Sequence, residues 1–257
     1  MRENADRFEG LAETYALFRP GYPQDCFADL AAACLSDRRI AVDIGAGPGT
    51  STRGLRAALD DDWLVMAIEP GADMRRVLSR SFQDDAKVQV NNGSAEHIPL
   101  PDASAGLLVA CTAFHWFDRD AFFAEAARVL APGGVIALIR NKRRPLPVVE
   151  AFDGYIAERS VEVHDYAARE RTKEPTVRDL GALEAFRAAK SRTYGWCETR
   201  DCRSLIDLYL TRSTVWALVR RIGLGQVMAD LSGICAEHSC DPVEIPYETT
   251  VKWALRR

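Results

Sequence analysis

At 257 residues, 47% hydrophobic and 27% charged, the chain has the composition of a globular protein and the length for one α/β domain with an ample core. A net charge of -4 gives no general electrostatic reason to bind nucleic acid or an acidic membrane surface. No apolar run approaches a membrane span and Met1-Arg2-Glu3-Asn4 opens no signal-peptide core, so a cytoplasmic location is expected.

The first element, Phe8 to Pro23, reads as a helix broken at Pro20, with Phe8, Ala12, Tyr15 and Phe18 near one face. Arg19 follows that apolar run and could hold a carboxylate in a two-pronged fork, or act simply as a helix-end cation. Asp25 to Leu35 continues as an amphipathic helix. Ile40 to Ile44 is a short apolar run of the kind that makes a buried parallel strand. Gly45, Gly47 and Gly49 follow it at every second position, and a helix-compatible segment begins at Thr50. Strand, glycine turn and helix open a nucleotide-binding βαβ unit, in which side-chain-free backbone lets a ligand reach the amides. The dinucleotide spacing G-x-G-x-x-G would need a glycine at position 50, which is Thr50. That departure, with Asp43 just ahead of the turn, favours a phosphate-free, cationic ligand over a pyrophosphate.

Ser51 to Leu59 forms the first crossover helix. Leu64 to Ile68 is a second buried strand, and it ends on Glu69-Pro70, where a carboxylate can accept both ribose hydroxyls of a nucleoside. In the helix Gly71 to Phe82, Met74 faces either the sheet or an adenine ring. Lys87 to Asn91 makes the third strand. The loop Gly93 to Asp102 carries Ser94, Ala95 and Glu96, and Ala105 to Cys111 makes the fourth strand. That strand runs into Thr112-Ala113-Phe114-His115-Trp116-Phe117-Asp118, at the sheet end where such folds bind ligands. His115 is placed to act as a general base, to line a pocket or to pack structurally. Trp116 and Phe117 suit a cationic or apolar neighbour, and Asp118 suits the N-cap of the helix Arg119 to Leu130.

Pro132-Gly133-Gly134 reads as a helix stop before a fifth strand, Val135 to Ile139. The basic run Arg140 to Arg144 is either a solvated face or an anchor for an acidic substrate at a pocket rim. Beyond it, Val148 to Ala168 and Val177 to Ala189 carry helical patterns and Ser191 to Thr199 a strand. Ile206 to Val219 and Leu224 to Glu237 look helical, and Pro246 to Leu255 closes as a strand. Seven cysteines, with Cys197 and Cys202 and then Cys235 and Cys240 each five apart, match neither a disulfide framework nor a zinc site, so no metal is expected.

Asp43 to Thr50, read DIGAGPGT, and Ile68-Glu69-Pro70 resemble motifs I and II of the class I S-adenosylmethionine-dependent methyltransferases. The small-molecule branch, with its ubiquinone-biosynthesis and trans-aconitate methyltransferase-like enzymes, is the nearest in pattern. The loop from Gly93 is similar to that family's G-D-A-E-x-L-P-F, with Ser94 in place of its aspartate, and Leu130 to Val135 is similar to its L-x-P-G-G-x. The resemblance implies a Rossmann-like sheet of seven strands in the order 3-2-1-4-5-7-6, the last one antiparallel. It implies S-adenosyl-L-methionine held by Tyr15, Arg19, Asp43, Gly45, Ala46, Gly47, Gly49, Thr50, Glu69, Pro70, Met74, Ser94, Ala95, Glu96, Thr112, Ala113 and Phe114. A single domain over 1–257 is expected, with a cofactor core at 1–142, a helical lid at 143–189 and 201–241, and closing strands at 190–200 and 242–257. The acceptor is expected to be a small molecule methylated on a carboxylate or hydroxyl oxygen, bordered by His115, Trp116, Arg143, Tyr209 and Trp216. Tyr155, His164, Tyr166 and Arg212 are further candidates, and nucleic-acid or membrane partners are not expected. Two other classes stay open: a protein of this fold that binds the cofactor without methylating, and an NAD-dependent oxidoreductase.

Overall fold

The computed structural model describes residues 12–159, 175–238 and 241–257. Its centre is a pair of parallel strands, β1 (Ile40–Ile44) and β2 (Leu64–Ile68), in register from Ile40 opposite Leu64 to Ile44 opposite Ile68. The last four residues of each strand are buried, as expected of strands covered on both faces. β3 (Val88–Asn91) adds beyond β2, and β4 (Ala105–Cys111), buried at every position, adds beyond β1. β5 (Leu130–Arg143), β6 (Phe186–Arg200) and β7 (Val243–Arg256) complete a sheet of order β3-β2-β1-β4-β5-β7-β6, with β7 antiparallel to both neighbours. This is the sheet expected from the sequence.

Helices cover both faces. On one lie α2 (Gln24–Ala33), α3 (Thr50–Ala58) and α4 (Ala72–Ser81), whose Phe27, Leu30, Leu55 and Leu78 pack on Ala41, Val65, Leu107 and Val109. On the other lies α5 (Arg119–Val129), with Phe122, Phe123 and Ala126 against Val42, Ile44 and Leu108. Burying each such large aliphatic or aromatic side chain contributes roughly 1.5–3 kcal/mol. Asp118 caps α5 by accepting from the Ala121 amide at 3.1 Å. The short helix α1 (Ala12–Phe18) sets Ala12 on Met74 and Val77 of α4, and Glu13 pairs with Arg76 and Arg80.

A third core gathers helices from the two stretches expected to form a lid. α6 (Pro147–Arg159), α8 (Cys202–Leu210), α9 (Ser213–Ile222) and α10 (Leu224–Glu237) bury Phe152, Tyr155, Leu205, Tyr209, Leu218 and Leu231 together, over Ile245 and Tyr247 of β7. The expected lid divides here, because α7 (Val177–Ala182) does not join it. Leu180 of α7 packs into the sheet core beside Phe186. The helix expected to run to Ala189 stops at Ala182, and β6 starts at Phe186. β5 is also longer than the sequence suggests. It begins at Leu130, ahead of the glycine pair, and carries Arg140 to Arg143 as strand residues paired with β7. Cys202 and Cys235 form a disulfide between α8 and α10, where unpaired thiols were expected. His164, Tyr166, Phe8 and Cys240 lie outside the described residues. Among the described residues no helix is long and apolar enough to cross a membrane, and no group of three or more histidine, cysteine, aspartate or glutamate residues could hold a metal.

Candidate cofactor and acceptor site

The turn after β1 is built by backbone conformation. Gly47 has φ +56° and Gly49, the N-cap of α3, has φ +104°, a region that side chains other than glycine's rarely enter. A Cβ at Gly49 would meet Phe82 at 2.7 Å and Leu78 at 2.9 Å, so this glycine lets α3 pack against α4. A Cβ at Gly47 would meet nothing within 4 Å and would project into the cavity that Gly47 lines. Two glycines of one motif therefore do different work.

That first cavity, about 150 Å³, is walled by Tyr15, Gly45, Ala46, Gly47, Thr50, Glu69, Pro70, Met74, Ala95, Thr112 and Ala113 of the residues expected for the cofactor. Tyr22, Ser51, Cys111 and Phe117 also line it. Tyr22, Ser51 and Cys111 were not singled out by the sequence, although Tyr22 sits two residues after Pro20 in the same N-terminal stretch. Glu69 spans the mouth of the turn. Its Oε2 accepts from the Gly47 amide at 2.9 Å and its Oε1 from the Gly71 amide at 2.7 Å. Burial pushes its carboxyl up, and these two amides pull it back.

Several expected residues lie behind the wall. Strand alternation turns Asp43 away from the Val42 and Ile44 face and toward the start of α3, where its Oδ2 accepts from Ser51 and Thr52 hydroxyls, each at 2.7 Å. Asp43 is fully buried and lines neither cavity; burial pushes its carboxyl up to about 6, against the pull of those two hydroxyls. Ser94 pairs backbone to backbone with His97, and the Glu96 carboxylate accepts from the Asp118 amide at 2.8 Å. Phe114 packs on Phe122 and Phe123, with each ring centroid at 5.7 Å. These residues shape the wall from behind, where the sequence placed them at the ligand.

Thr112 joins the two halves of the site. It has φ +52°, an outlying conformation for a β-branched residue, held by its amide donating to Ile139 at 2.7 Å. Its hydroxyl and that of Tyr22 are 3.0 Å apart, and burial pushes the Tyr22 phenol well up, so it stays protonated. Tyr15, Tyr22, Thr50, Thr112 and Trp116 line both the first cavity and a second one of about 580 Å³.

The second cavity is strongly basic. Arg19, Arg140, Lys142, Arg143, Arg144 and Arg212 line it, against Glu150 and Asp153. His115, with its ring centroid 4.7 Å from that of Trp116, is also in its wall. The Arg19 guanidinium lies 4.5 Å over the Tyr15 ring. Tyr209 is fully buried and lines neither cavity; its ring instead carries the guanidinium groups of Arg143 at 4.7 Å and Arg212 at 5.0 Å. Trp216 packs against the third core, also outside both linings. Both are supports rather than the wall contacts expected from the sequence.

A phosphate-free nucleoside fits the first cavity. Apolar side chains flank a side-chain-free glycine turn, the Glu69 carboxylate is bonded to it, and the Thr50 hydroxyl is buried with no partner among the described residues. A family profile described as a methyltransferase domain matches residues 42–138. The chain is 30% identical to an uncharacterized methyltransferase of Mycobacterium tuberculosis over 253 residues, covering 96% of this chain and 95% of that protein. It is 33% identical over 196 residues to a malonyl-[acyl-carrier protein] O-methyltransferase of Methylococcus capsulatus, covering 72% of this chain and 68% of that one. A solved structure from Anaeromyxobacter dehalogenans, assigned as a type II methyltransferase, superposes with a TM-score of 0.70 at 27% identity, covering 93% of this chain and 98% of its own. Sheet order, glycine turn and strand-end carboxylate define a class I nucleoside-binding enzyme. The chain belongs to the class I S-adenosylmethionine-dependent methyltransferases, and S-adenosylmethionine is its cofactor.

Proposed function

We propose that the protein methylates an oxygen of a small acceptor, a carboxylate or hydroxyl, in the second cavity. The observation that carries this is the continuity of the two cavities through Thr112 and Trp116, with the larger one basic. Gly47, Thr50, Glu69, Met74 and Ala95 would hold the nucleoside, and Tyr15 and Arg19 its amino-acid end. When bound, the cofactor supplies a methyl group on a positively charged sulfur, already activated for in-line displacement. An acceptor oxygen gives an electron pair to that carbon while the carbon–sulfur pair stays with sulfur. The chain then contributes alignment and exclusion of water. His115 borders the acceptor and could take the proton of a hydroxyl, whereas a carboxylate needs no base.

The basic lining also favours an anionic acceptor, because arginines beside a sulfonium repel it unless an anion lies between them. The relative named as a malonyl-[acyl-carrier protein] O-methyltransferase is by that name an O-methylating enzyme, which agrees with transfer to oxygen. The test is transfer of radiolabelled methyl from S-adenosylmethionine to a panel of carboxylic acids and phenols, with base treatment to release methanol from esters. Label that survives base identifies a hydroxyl acceptor. Tight binding of the cofactor with no transfer to any member would favour the non-methylating alternative.

A further inference from the structure

The second cavity is lined by residues with buried donors that no described residue satisfies. Arg143 on β5 and Tyr247 on β7 are direct cross-strand partners, so their side chains leave the same face of the sheet side by side. Tyr247 is 3% exposed, and its hydroxyl has no partner among the described residues. Arg143 Nη1 is buried without a partner, and so is the hydroxyl of Thr214 in the first turn of α9. All three residues line the second cavity and none lines the first.

The local charge supports an anion there. Glu150 and Asp153 are the carboxylates of this cavity's lining, Glu198 near Tyr247 is paired with Arg200, and Asp153 is already engaged. It accepts from Arg212 at 2.6 Å and from the Tyr209 hydroxyl at 3.0 Å, while Arg143 Nη2 stands 3.9 Å away. Asp153 thus lies closer to Arg212 than to Arg143, and the cations of the lining outnumber its two carboxylates. Burial pushes the Tyr247 phenol up to about 12, with Arg143 pulling it down and Glu198 pushing it up, so it is a hydroxyl donor at neutral pH. Trp196, stacked on Tyr247 at 4.7 Å, holds that ring in place. Native proteins rarely leave buried donors unpaired, because each one costs about 1–3 kcal/mol. A guanidinium edge and two hydroxyls, from three residues that line one cavity, match the several lone pairs of an oxyanion.

We propose that Arg143, Tyr247 and Thr214 bind an oxyanion of the acceptor, carboxylate or phosphate, that is distinct from the atom methylated. The acceptor is then bifunctional: its anion is gripped between β5, β7 and α9, and its nucleophilic oxygen reaches the Thr112–Trp116 end. This rests on the reading of the second cavity as the acceptor site.

The test is calorimetry on the protein saturated with S-adenosylhomocysteine, titrated with malonate, glutarate, inorganic phosphate and neutral malonamide. At least one anion is expected to bind ten or more times tighter than malonamide. Arg143→Gln should weaken that anion at least tenfold, and Tyr247→Phe about threefold, with S-adenosylhomocysteine affinity unchanged in both. Tyr247→Phe keeps the ring and its stacking, so it remains informative if Arg143→Gln folds poorly. A preference for dicarboxylates or for phosphate decides between the two anion chemistries. If the protein binds S-adenosylhomocysteine but no anion better than malonamide, or both variants bind the anion as tightly as the parent, the proposal fails while the cofactor site stands. Loss of S-adenosylhomocysteine binding in the parent would instead overturn the reading on which it rests.

Discussion

Alanine placed separately at Gly47 and Gly49 should produce two different failures. At Gly49 the new methyl must share space with Phe82 and Leu78, and the residue must keep φ +104°. The left-handed backbone costs roughly 1–2 kcal/mol for an L-residue, and overpacking about 1–3 kcal/mol. The sum is about 2–5 kcal/mol, which in a chain of this size lowers Tm by roughly 5–15 °C. Gly49 lines neither cavity, so the folded fraction should bind S-adenosylhomocysteine within about threefold of the parent.

At Gly47 the backbone term stands alone, because no atom lies within 4 Å of the added methyl. Stability should fall by only about 1–2 kcal/mol, a Tm change of roughly 2–6 °C. The methyl occupies space inside the cavity and lifts the ligand off the turn, so affinity should drop at least tenfold, about 1.4 kcal/mol. Thermal melts with and without ligand, and calorimetry at a temperature where both variants are folded, separate the two. The division of labour is refuted if Gly49→Ala loses affinity at unchanged Tm, or if Gly47→Ala binds as the parent does.

Glu69→Gln leaves one of two amides, Gly47 or Gly71, facing an NH2 group in place of an acceptor. Calorimetry should show at least a tenfold loss of S-adenosylhomocysteine affinity, and stability should fall by about 1–3 kcal/mol. Asp43 holds its proton more tightly when folded, at about 6, than when unfolded, so its contribution to stability declines as pH rises from ~4 to ~6. Above that window the full cost is about 3 kcal/mol, and Asp43→Asn should flatten the pH slope of urea unfolding between 4 and 6 and raise stability at pH 7.5. Arg128 forks onto Glu125 and donates to the Leu100 and Ile98 carbonyls and to Asp102, pinning the loop that brings Ala95 to the cavity. Arg128→Met should cost about 2–3 kcal/mol of stability and raise KM for the cofactor with little change in kcat.

What could be read from the sequence was what is encoded locally. β1, β2 and β4 are buried on both faces, so each is a compact apolar run, and the glycine turn sits between two of them. β6 is an edge strand, mostly exposed along Phe186–Arg200, so its residues carry little hydrophobic period and part of it read as helix. β5 was cut short because Pro132 to Gly134 has turn chemistry, and the pairing of Ala105 with Leu130 that extends it appears only in the sheet. Asp43 illustrates a subtler error. Its place in a ligand-binding motif suggested a ligand contact, yet a period of two sends its side chain to the helix beyond.

The second cavity was less legible, for a topological reason. Arg143, Thr214 and Tyr247 are far apart in the chain, and no spacing rule joins them. The insertion of β7 between β5 and β6 sets Tyr247 beside Arg143, and the helices between β6 and β7 bring in Thr214. The strain at Thr112 belongs to the same junction. The chain leaves β4 there, at the point where the sheet reverses its strand order, and the left-handed turn sets the hydroxyl of Thr112 against Tyr22 between the two cavities. Glycine there would relieve the strain and lose that contact, so the cost is kept at the junction of the two cavities.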